Sequence, residues 1–146
     1  MNKLLLLSLS LYTTASLASS HHLLNTYNEV LHALSNGSHL QAIAGLSKCS
    51  PASTDNIQLG GIDFNHFLVY TLDTGGKKNH VIGMSNTIFV NKKELGYVFE
   101  YVKLRIFEDN SVEFFSQNLN PKDYSSVKDG VSYKCKLAKD VKLYEL

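Results

Sequence analysis

Apolar residues repeat with helical spacing near the start of the chain and alternate with polar residues through most of the remainder. Between residues 23 and 34 they recur every three or four positions, which is typical of an amphipathic helix. The residues of this stripe are Leu23, Tyr27, Val30, Leu31 and Leu34. Thr26 and Glu29 match a capping box, and Asn36-Gly37 is a stop signal. The pattern therefore predicts a helix close to the N-terminus.

The segment after this helix is ambiguous. From His39 to Leu46 apolar residues alternate as in a strand, whereas the alanines among them favour a short second helix. We interpret it as a strand. The run from Ser50 to Asn56 is rich in turn-forming residues and predicts a surface loop.

From Ile57 onwards the period is two, with β-branched and aromatic residues between turn signals, as in antiparallel strands. Predicted strands cover residues 62–72, 81–90, 98–108, 131–137 and 141–146. The first of these places one row of side chains on a common face: Ile62, Phe64, His66, Leu68, Tyr70 and Leu72. After residue 108, a three-residue hairpin loop is predicted to set Ile106 opposite Phe114.

Together these elements predict a single globular α+β domain over residues 19–146. Its N-terminal helix packs on a curved antiparallel β-sheet of about six strands. Closure of the sheet into a small barrel is the alternative, because closure would remove exposed strand edges.

Residues 1–18 have the features of a signal peptide. Lys3 supplies a positive start, Leu4–Tyr12 an apolar run, and Ser16-Leu17-Ala18 a small-x-small cleavage site. The apolar run is shorter than the roughly 20 residues of a membrane-spanning helix. The sequence therefore predicts a protein of the periplasm or the extracellular space, with no stable membrane anchor.

The two cysteines, Cys49 and Cys135, support the same compartment. An even number of cysteines in an exported protein favours a disulfide over two free thiols. By chain entropy, a loop of this length contributes about 4.5 kcal/mol of stability. We therefore predict a Cys49–Cys135 disulfide that connects the beginning of the domain to its end.

Charge argues against nucleic acid as a partner. The chain has 14 Lys and Arg against 13 Asp and Glu, and removal of Lys3 with the signal peptide balances them. Nucleic acids and anionic membranes both require a concentrated basic surface. The expected partner is a protein or a small-molecule ligand.

His66 and Glu100 each interrupt an apolar row and are predicted to point inwards, where polar groups need partners. One interpretation is a ligand-binding pocket anchored by these two residues, with Ser85 or Thr87 as an additional hydrogen-bonding group. The alternative is that backbone groups satisfy them, or that a bulge turns them outwards. The chain contains no G-x-S-x-G, P-loop, H-E-x-x-H or dinucleotide motif, and this favours a non-enzymatic protein.

Cleavage after Ala18 would leave Ser19-Ser20-His21 as the free N-terminus. An α-amine, two amide nitrogens and a third-position imidazole form the square-planar nitrogen set that Cu(II) prefers. A frayed polar terminus is the competing interpretation. No other cofactor is expected.

The order of several short motifs resembles the VirK family of small exported bacterial proteins. In sequence order these motifs are Ala33-Leu34-Ser35-Asn36-Gly37, Leu46-Ser47-Lys48-Cys49-Ser50, Gly60-Gly61-Ile62-Asp63-Phe64, Met84-Ser85-Asn86-Thr87, Tyr101-Val102-Lys103-Leu104-Arg105-Ile106-Phe107-Glu108-Asp109, Tyr133-Lys134-Cys135-Lys136-Leu137 and Val141-Lys142-Leu143-Tyr144. The resemblance implies a secreted or periplasmic protein linked to host interaction or virulence, and it brings no active-site residues. The sequence thus favours a non-enzymatic binding protein; the alternative is a small enzyme or ligand carrier with a His66/Glu100 pocket.

Overall fold

The computed structural model describes residues 21–53 and 58–146. The predicted signal peptide, Ser19 and Ser20 lie outside these residues. Of the predicted loop 50–56, positions 50–53 are described and positions 54–56 are not. The elements are β1 (His22–Leu24), α1 (Tyr27–Ser35), β2 (Leu40–Gly45), a 3₁₀ turn (Leu46–Lys48), β3 (Gln58–Phe64), β4 (Phe67–Thr74), β5 (Lys77–Lys92), β6 (Gly96–Phe107), β7 (Ser111–Leu119), β8 (Ser126–Lys136) and β9 (Val141–Glu145). Within the described ranges, no helix is both long and apolar enough to cross a membrane.

The predicted helix is confirmed from its cap at Thr26 to its stop at Asn36-Gly37, but Leu23, which the apolar stripe assigned to it, lies in β1. Thr26 is the N-cap, and its hydroxyl accepts a hydrogen bond from the backbone N–H of Glu29. At the other end Asn36 caps the helix, and Gly37 adopts a φ of 82°. The segment from residue 39, which could have been a second helix, forms strand β2.

The strands form two antiparallel sheets, not one. The four-stranded sheet has the order β1-β9-β2-β3, and the five-stranded sheet has the order β4-β5-β6-β7-β8. Strands account for 64% of the structure and helices for 10%. The predicted α+β fold, with a helix packed on one curved sheet of about six strands, is therefore wrong, and so is its closure into a small barrel. Both sheets are open within the described residues.

The break between the sheets falls inside the predicted strand 62–72. β3 ends at Phe64 and β4 begins at Phe67, with Asn65 and His66 between them. Ile62 and Phe64 of β3 are buried as predicted, whereas Leu68 of β4 is 72% exposed, because the two halves belong to different sheets. A strand that changes sheet at a two-residue corner leaves its alternation intact, so the period alone could not show the break.

The core lies between the two sheets. We call the face of the five-stranded sheet that turns towards the four-stranded sheet its inner face, and the opposite face its outer face. The core combines apolar residues of both sheets with the buried face of α1. Its most deeply buried members include Val30, Leu40, Ala42, Phe64, Ile82, Leu104, Ile106, Phe114 and Leu143.

The sheets differ in length, and the difference creates a cleft. β5 has 16 residues, whereas β2 has six. At about 3.3 Å per residue these strands extend over about 50 Å and about 20 Å. The longer sheet therefore extends beyond the shorter one, and its far end lines the cleft described below together with Leu46, residues 51–53 and Leu59.

The β6–β7 hairpin joins the start of the helix. Its loop has three residues, as predicted, but it begins one residue earlier, so Ile106 pairs with Val112 instead of Phe114. The cause is Asn110, which takes the left-handed conformation with a φ of 61°. The Asn110 Oδ1 also accepts a hydrogen bond of 2.7 Å from the backbone N–H of Tyr27, at the first turn of α1.

Substitution of Asn110 should separate these two roles. We expect Asn110→Ala to lower the free energy of unfolding by about 2 kcal/mol, because alanine disfavours the left-handed backbone and cannot accept from Tyr27. Asn110→Gly keeps the backbone conformation and loses only the hydrogen bond, so about half that loss is expected. Urea unfolding measures both variants. Equal losses would mean that the backbone conformation contributes nothing.

Candidate functional site

The outer face of the five-stranded sheet carries exposed aromatic side chains. We define this aromatic surface by its members: Phe89, Tyr97, Phe99, Tyr101, Phe115 and Tyr124. Tyr97 is 65% exposed, Tyr124 is 62% exposed and Phe89 is 59% exposed. Isolated exposed apolar residues are ordinary, whereas a contiguous exposed group marks an interaction surface.

The rings of this surface pack against one another across strands. Phe89 and Phe99 are directly paired residues of β5 and β6, with ring centroids 5.3 Å apart. Tyr97 stacks on Phe89 at 5.5 Å, and Tyr124 stacks on Phe99 at 5.3 Å with an interplanar angle of 3°. Because stacked neighbours cover part of each other's faces, each ring offers a partner its edges and its uncovered face.

A basic region continues the aromatic surface along β6. Lys103 Nζ lies 5.0 Å from the centre of the Phe115 ring, a cation–π contact. The Arg105 guanidinium donates to the Glu113 carboxylate at 3.0 Å. Burial works against the charge of Arg105, but hydrogen bonds to Glu113 and Tyr70 outweigh it and raise the pKa of Arg105 above its ordinary value. Aromatic residues and arginine together are typical of the centres of protein interfaces.

His66 lies beside this region and not in the core. It is exposed, in the corner between β3 and β4, and it lines a cleft of about 450 Å³ on the outer face together with Ser85, Tyr70 and Arg105. Gly83 also lines this cleft. The Tyr70 ring packs so closely over it that a Cβ at this position would stand 2.9 Å from a ring carbon. The prediction that His66 points inwards is therefore wrong. It fails because the chain changes sheet at this residue.

Glu100 points inwards, as predicted, into a second cleft of about 660 Å³. We call this the inter-sheet cleft and define it by Leu46, Leu59, Lys92, Glu100, Asn118 and Tyr133. Glu100 is 4% exposed. Its Oε1 accepts from the Ser116 hydroxyl at 2.8 Å and lies 3.1 Å from Lys92 Nζ.

The structure thus separates the residues of the predicted pocket. His66 and Ser85 share the outer-face cleft, whereas Glu100 lines the inter-sheet cleft on the other side of the sheet. A single pocket anchored by His66 and Glu100 is not formed. Whether any of the three residues binds a ligand stays a prediction.

The predicted disulfide is confirmed. Cys49 and Cys135 are bonded, with Cα atoms 4.6 Å apart. The bridge joins the end of the 3₁₀ turn to β8, and both cysteines are buried. Ser50 and Lys134, the neighbouring residues, exchange backbone hydrogen bonds of 2.8 Å and 2.7 Å.

The predicted Cu(II) site lies at the edge of the described structure. His21 is the first residue that the structure describes and is exposed, whereas Ser19 and Ser20 lie outside the described residues. Within residues 21–53 and 58–146, no group of three or more His, Cys, Asp or Glu residues is placed to hold a metal ion. The N-terminal copper site stays a prediction.

Sequence reasoning did not identify the aromatic surface. Alternation along the predicted strand 98–108 places Phe99, Tyr101, Lys103, Arg105 and Phe107 on one face. It does not show which side chains of a neighbouring strand lie beside them, and the pairing of Phe89 with Phe99 depends on register. The available signal was an aromatic pair, Phe99 and Tyr101, recurring at period two beside basic residues.

The family model described as VirK protein matches residues 23–124, which is 102 of the 146 residues. The chain belongs to the VirK family. The family's matched region includes the aromatic surface, Glu100 and Asn118, and it ends before β8 and Cys135.

A solved structure supports the fold of this VirK protein. This chain is similar to the crystal structure of a VirK family protein from Legionella pneumophila, with a TM-score of 0.63 and 19% sequence identity. The similarity covers 83% of this chain and 97% of the Legionella chain. At this identity the likeness shows the fold alone. A search among curated proteins finds no significant match.

Proposed function

We propose that this VirK protein is an exported, non-enzymatic binding protein that contacts a host or bacterial partner protein through its aromatic surface. The observation that carries the proposal is the run of stacked, exposed rings on the outer sheet face, which no other element of residues 21–53 and 58–146 covers. Folding alone gives no reason to expose three large aromatic side chains by about 60% each.

The chemistry of the aromatic surface favours a protein over a nucleic acid or a lipid bilayer. The formal charges of the chain nearly cancel, so a polyanionic partner finds little general attraction. Local charge indicates the sign of charge that a partner would carry, because Lys103 lies over Phe115 and makes no ion pair within the described residues. A partner that surrounds apolar side chains with acidic residues would complement this surface.

Two further observations support export and binding. A buried disulfide suits an oxidising compartment, which agrees with the predicted signal peptide. In addition, the separation of His66 and Ser85 from Glu100 removes the basis of the enzyme or carrier built on their common pocket.

Site-specific photocrosslinking tests the proposal. A photoreactive phenylalanine analogue at Tyr97 should give a discrete protein adduct when the protein is present with its producing cells or with host cells. The same analogue at Lys142, exposed on β9 of the other sheet, is the matched control and should not give this adduct. We expect Phe89→Ser to remove the Tyr97 adduct, because serine ends the stacking that positions Tyr97.

The outcomes of this experiment are distinguishable. An adduct at Tyr97 that acidic competitor peptides and added salt both weaken would support the proposed partner chemistry. An adduct with a second copy of this chain would contradict the proposal of a different protein partner. Absence of any adduct at Tyr97 under both conditions, or the same adduct from Lys142, would also contradict it.

A further inference from the structure

We propose that the inter-sheet cleft binds a small cationic ligand, with an ammonium group on Glu100 and Asn118 and an apolar body against the cleft walls. This site is separate from the aromatic surface, since it lies on the inner face of the five-stranded sheet. The proposal does not depend on a protein partner.

Glu100 is placed as an anchor for a cation. It stands in an inner row between Val98 and Val102, both of which are buried. A carboxylate in this position requires a counter-charge, because its charge is shielded from water. Its hydrogen bond from Ser116 supplies a dipole, and among the described residues only Lys92 forms an ion pair with it.

Lys92 is a replaceable counter-ion. It is the last residue of β5, and its side chain is 34% exposed at the open end of the sheet. A long lysine side chain loses rotamer freedom when it is held in one geometry, and water competes for its ammonium group. A ligand ammonium that reaches Glu100 would release Lys92 to solvent and keep the carboxylate paired.

Asn118 provides the second acceptor. It pairs directly with Glu100 across β6 and β7, so the two side chains are neighbours on the inner face. The Asn118 Oδ1 is buried and accepts no hydrogen bond from the described residues. The Lys92 ammonium pairs with Glu100 and does not reach Asn118, whereas a ligand ammonium placed between the two side chains has enough N–H donors to bond both.

The rest of the cleft fits the apolar part of such a ligand. Leu46, Leu59, Val131 and Tyr133 contribute apolar walls, and the volume of about 660 Å³ is typical of small-molecule sites. Lys93, Glu94, Lys128 and Asp129 line the cleft but are exposed, so charges of both signs lie at its rim. The Glu100 carboxylate and the Asn118 Oδ1 lie deeper. This order favours a cation with an apolar body that enters head first.

A titration with 2-phenylethylamine tests the site, because this probe joins a primary ammonium to an apolar ring. Amide resonances followed by two-dimensional NMR should shift saturably at Glu100, Ser116 and Asn118, and remain unchanged at Phe89 and Tyr97. Phenylacetate, which carries the opposite charge on a similar body, should cause no saturable shift. 2-Phenylethanol, which is neutral, should bind at least about tenfold more weakly than the amine.

Variants distinguish replacement of Lys92 by the ligand ammonium at Glu100 from nonspecific binding of the probe. Glu100→Gln should weaken 2-phenylethylamine binding by at least about tenfold, since the charge is lost. Lys92→Met removes the internal competitor and should strengthen binding severalfold. Lys93→Met is the matched control, because Lys93 lines the same cleft and makes no contact with Glu100; it should leave the affinity unchanged.

The Lys92→Met result remains informative if Glu100→Gln fails to fold, since methionine keeps the apolar stem of a partly exposed side chain and the ligand ammonium supplies the counter-charge that Glu100 has lost. The spectrum of each variant without ligand reports its folding. Weaker binding in Lys92→Met would overturn the exchange. Equal shifts with phenylacetate, or no saturable shift with 2-phenylethylamine up to about 10 mM, would overturn the site.

Discussion

Removal of the Cys49–Cys135 disulfide is expected to lower the free energy of unfolding by about 3 to 5 kcal/mol. The two cysteines are 86 positions apart, so the bridge restricts a large part of the unfolded chain. Chain entropy alone gives about 4.5 kcal/mol for a loop of this size. Since domains have about 5 to 15 kcal/mol of stability in total, the reduced protein should be close to unfolding.

The position of the bridge adds a reason beyond chain entropy. It connects the segment after β2, in the four-stranded sheet, to β8, at the edge of the five-stranded sheet. Loss of the bridge therefore loosens the contact between the sheets beside the inter-sheet cleft. Urea unfolding of the oxidised protein, the reduced protein and a Cys49→Ala/Cys135→Ala variant measures the effect. A loss below about 1 kcal/mol would show that sheet packing suffices without the bridge.

Phe114→Ala is expected to lower the free energy of unfolding by about 4 kcal/mol. Phe114 is fully buried on the inner face, where its ring packs near Tyr133 and within the core shared by both sheets. Truncation removes the buried ring and leaves a cavity that the rigid strands fill only in part. The free energy of unfolding should fall accordingly in urea or thermal unfolding.

The neighbouring Phe115 is the matched control. It has the same side chain one position later, so it lies on the outer face, where it covers Gly130 and contacts Tyr101. Phe115→Ala should cost about 1 to 2 kcal/mol, since its ring is only partly buried. Equal losses in the two variants would contradict the assignment of one dry face and one wet face to this sheet.

Local features of this fold could be predicted from the sequence. The helix was predictable because its cap at Thr26 and its stop at Asn36-Gly37 act over a few residues. The inward direction of Glu100 followed from alternation within β6, which needs no knowledge of the partner strands. The disulfide followed from the number of cysteines and the expected compartment.

Features that depend on long-range pairing could not be predicted in this way. Alternation continues from Ile62 to Leu72 although the chain changes sheet at His66, so His66 was assigned to the wrong face. β1 has only three residues, too few for any period to be visible. The aromatic surface depends on the register between β5 and β6, which alternation does not determine.

The place of β9 has a consequence for the timing of folding during synthesis. This strand, residues 141–145, lies between β1 and β2 and connects them, although it is made more than 90 residues after β2. The four-stranded sheet therefore cannot assemble while the ribosome is still adding the earlier strands. At about 5 to 20 residues per second, several seconds pass between the synthesis of β1 and the synthesis of β9, the strand that pairs with it. A nascent chain that stays open for this long remains accessible to chaperones and to an export machinery that accepts unfolded polypeptide.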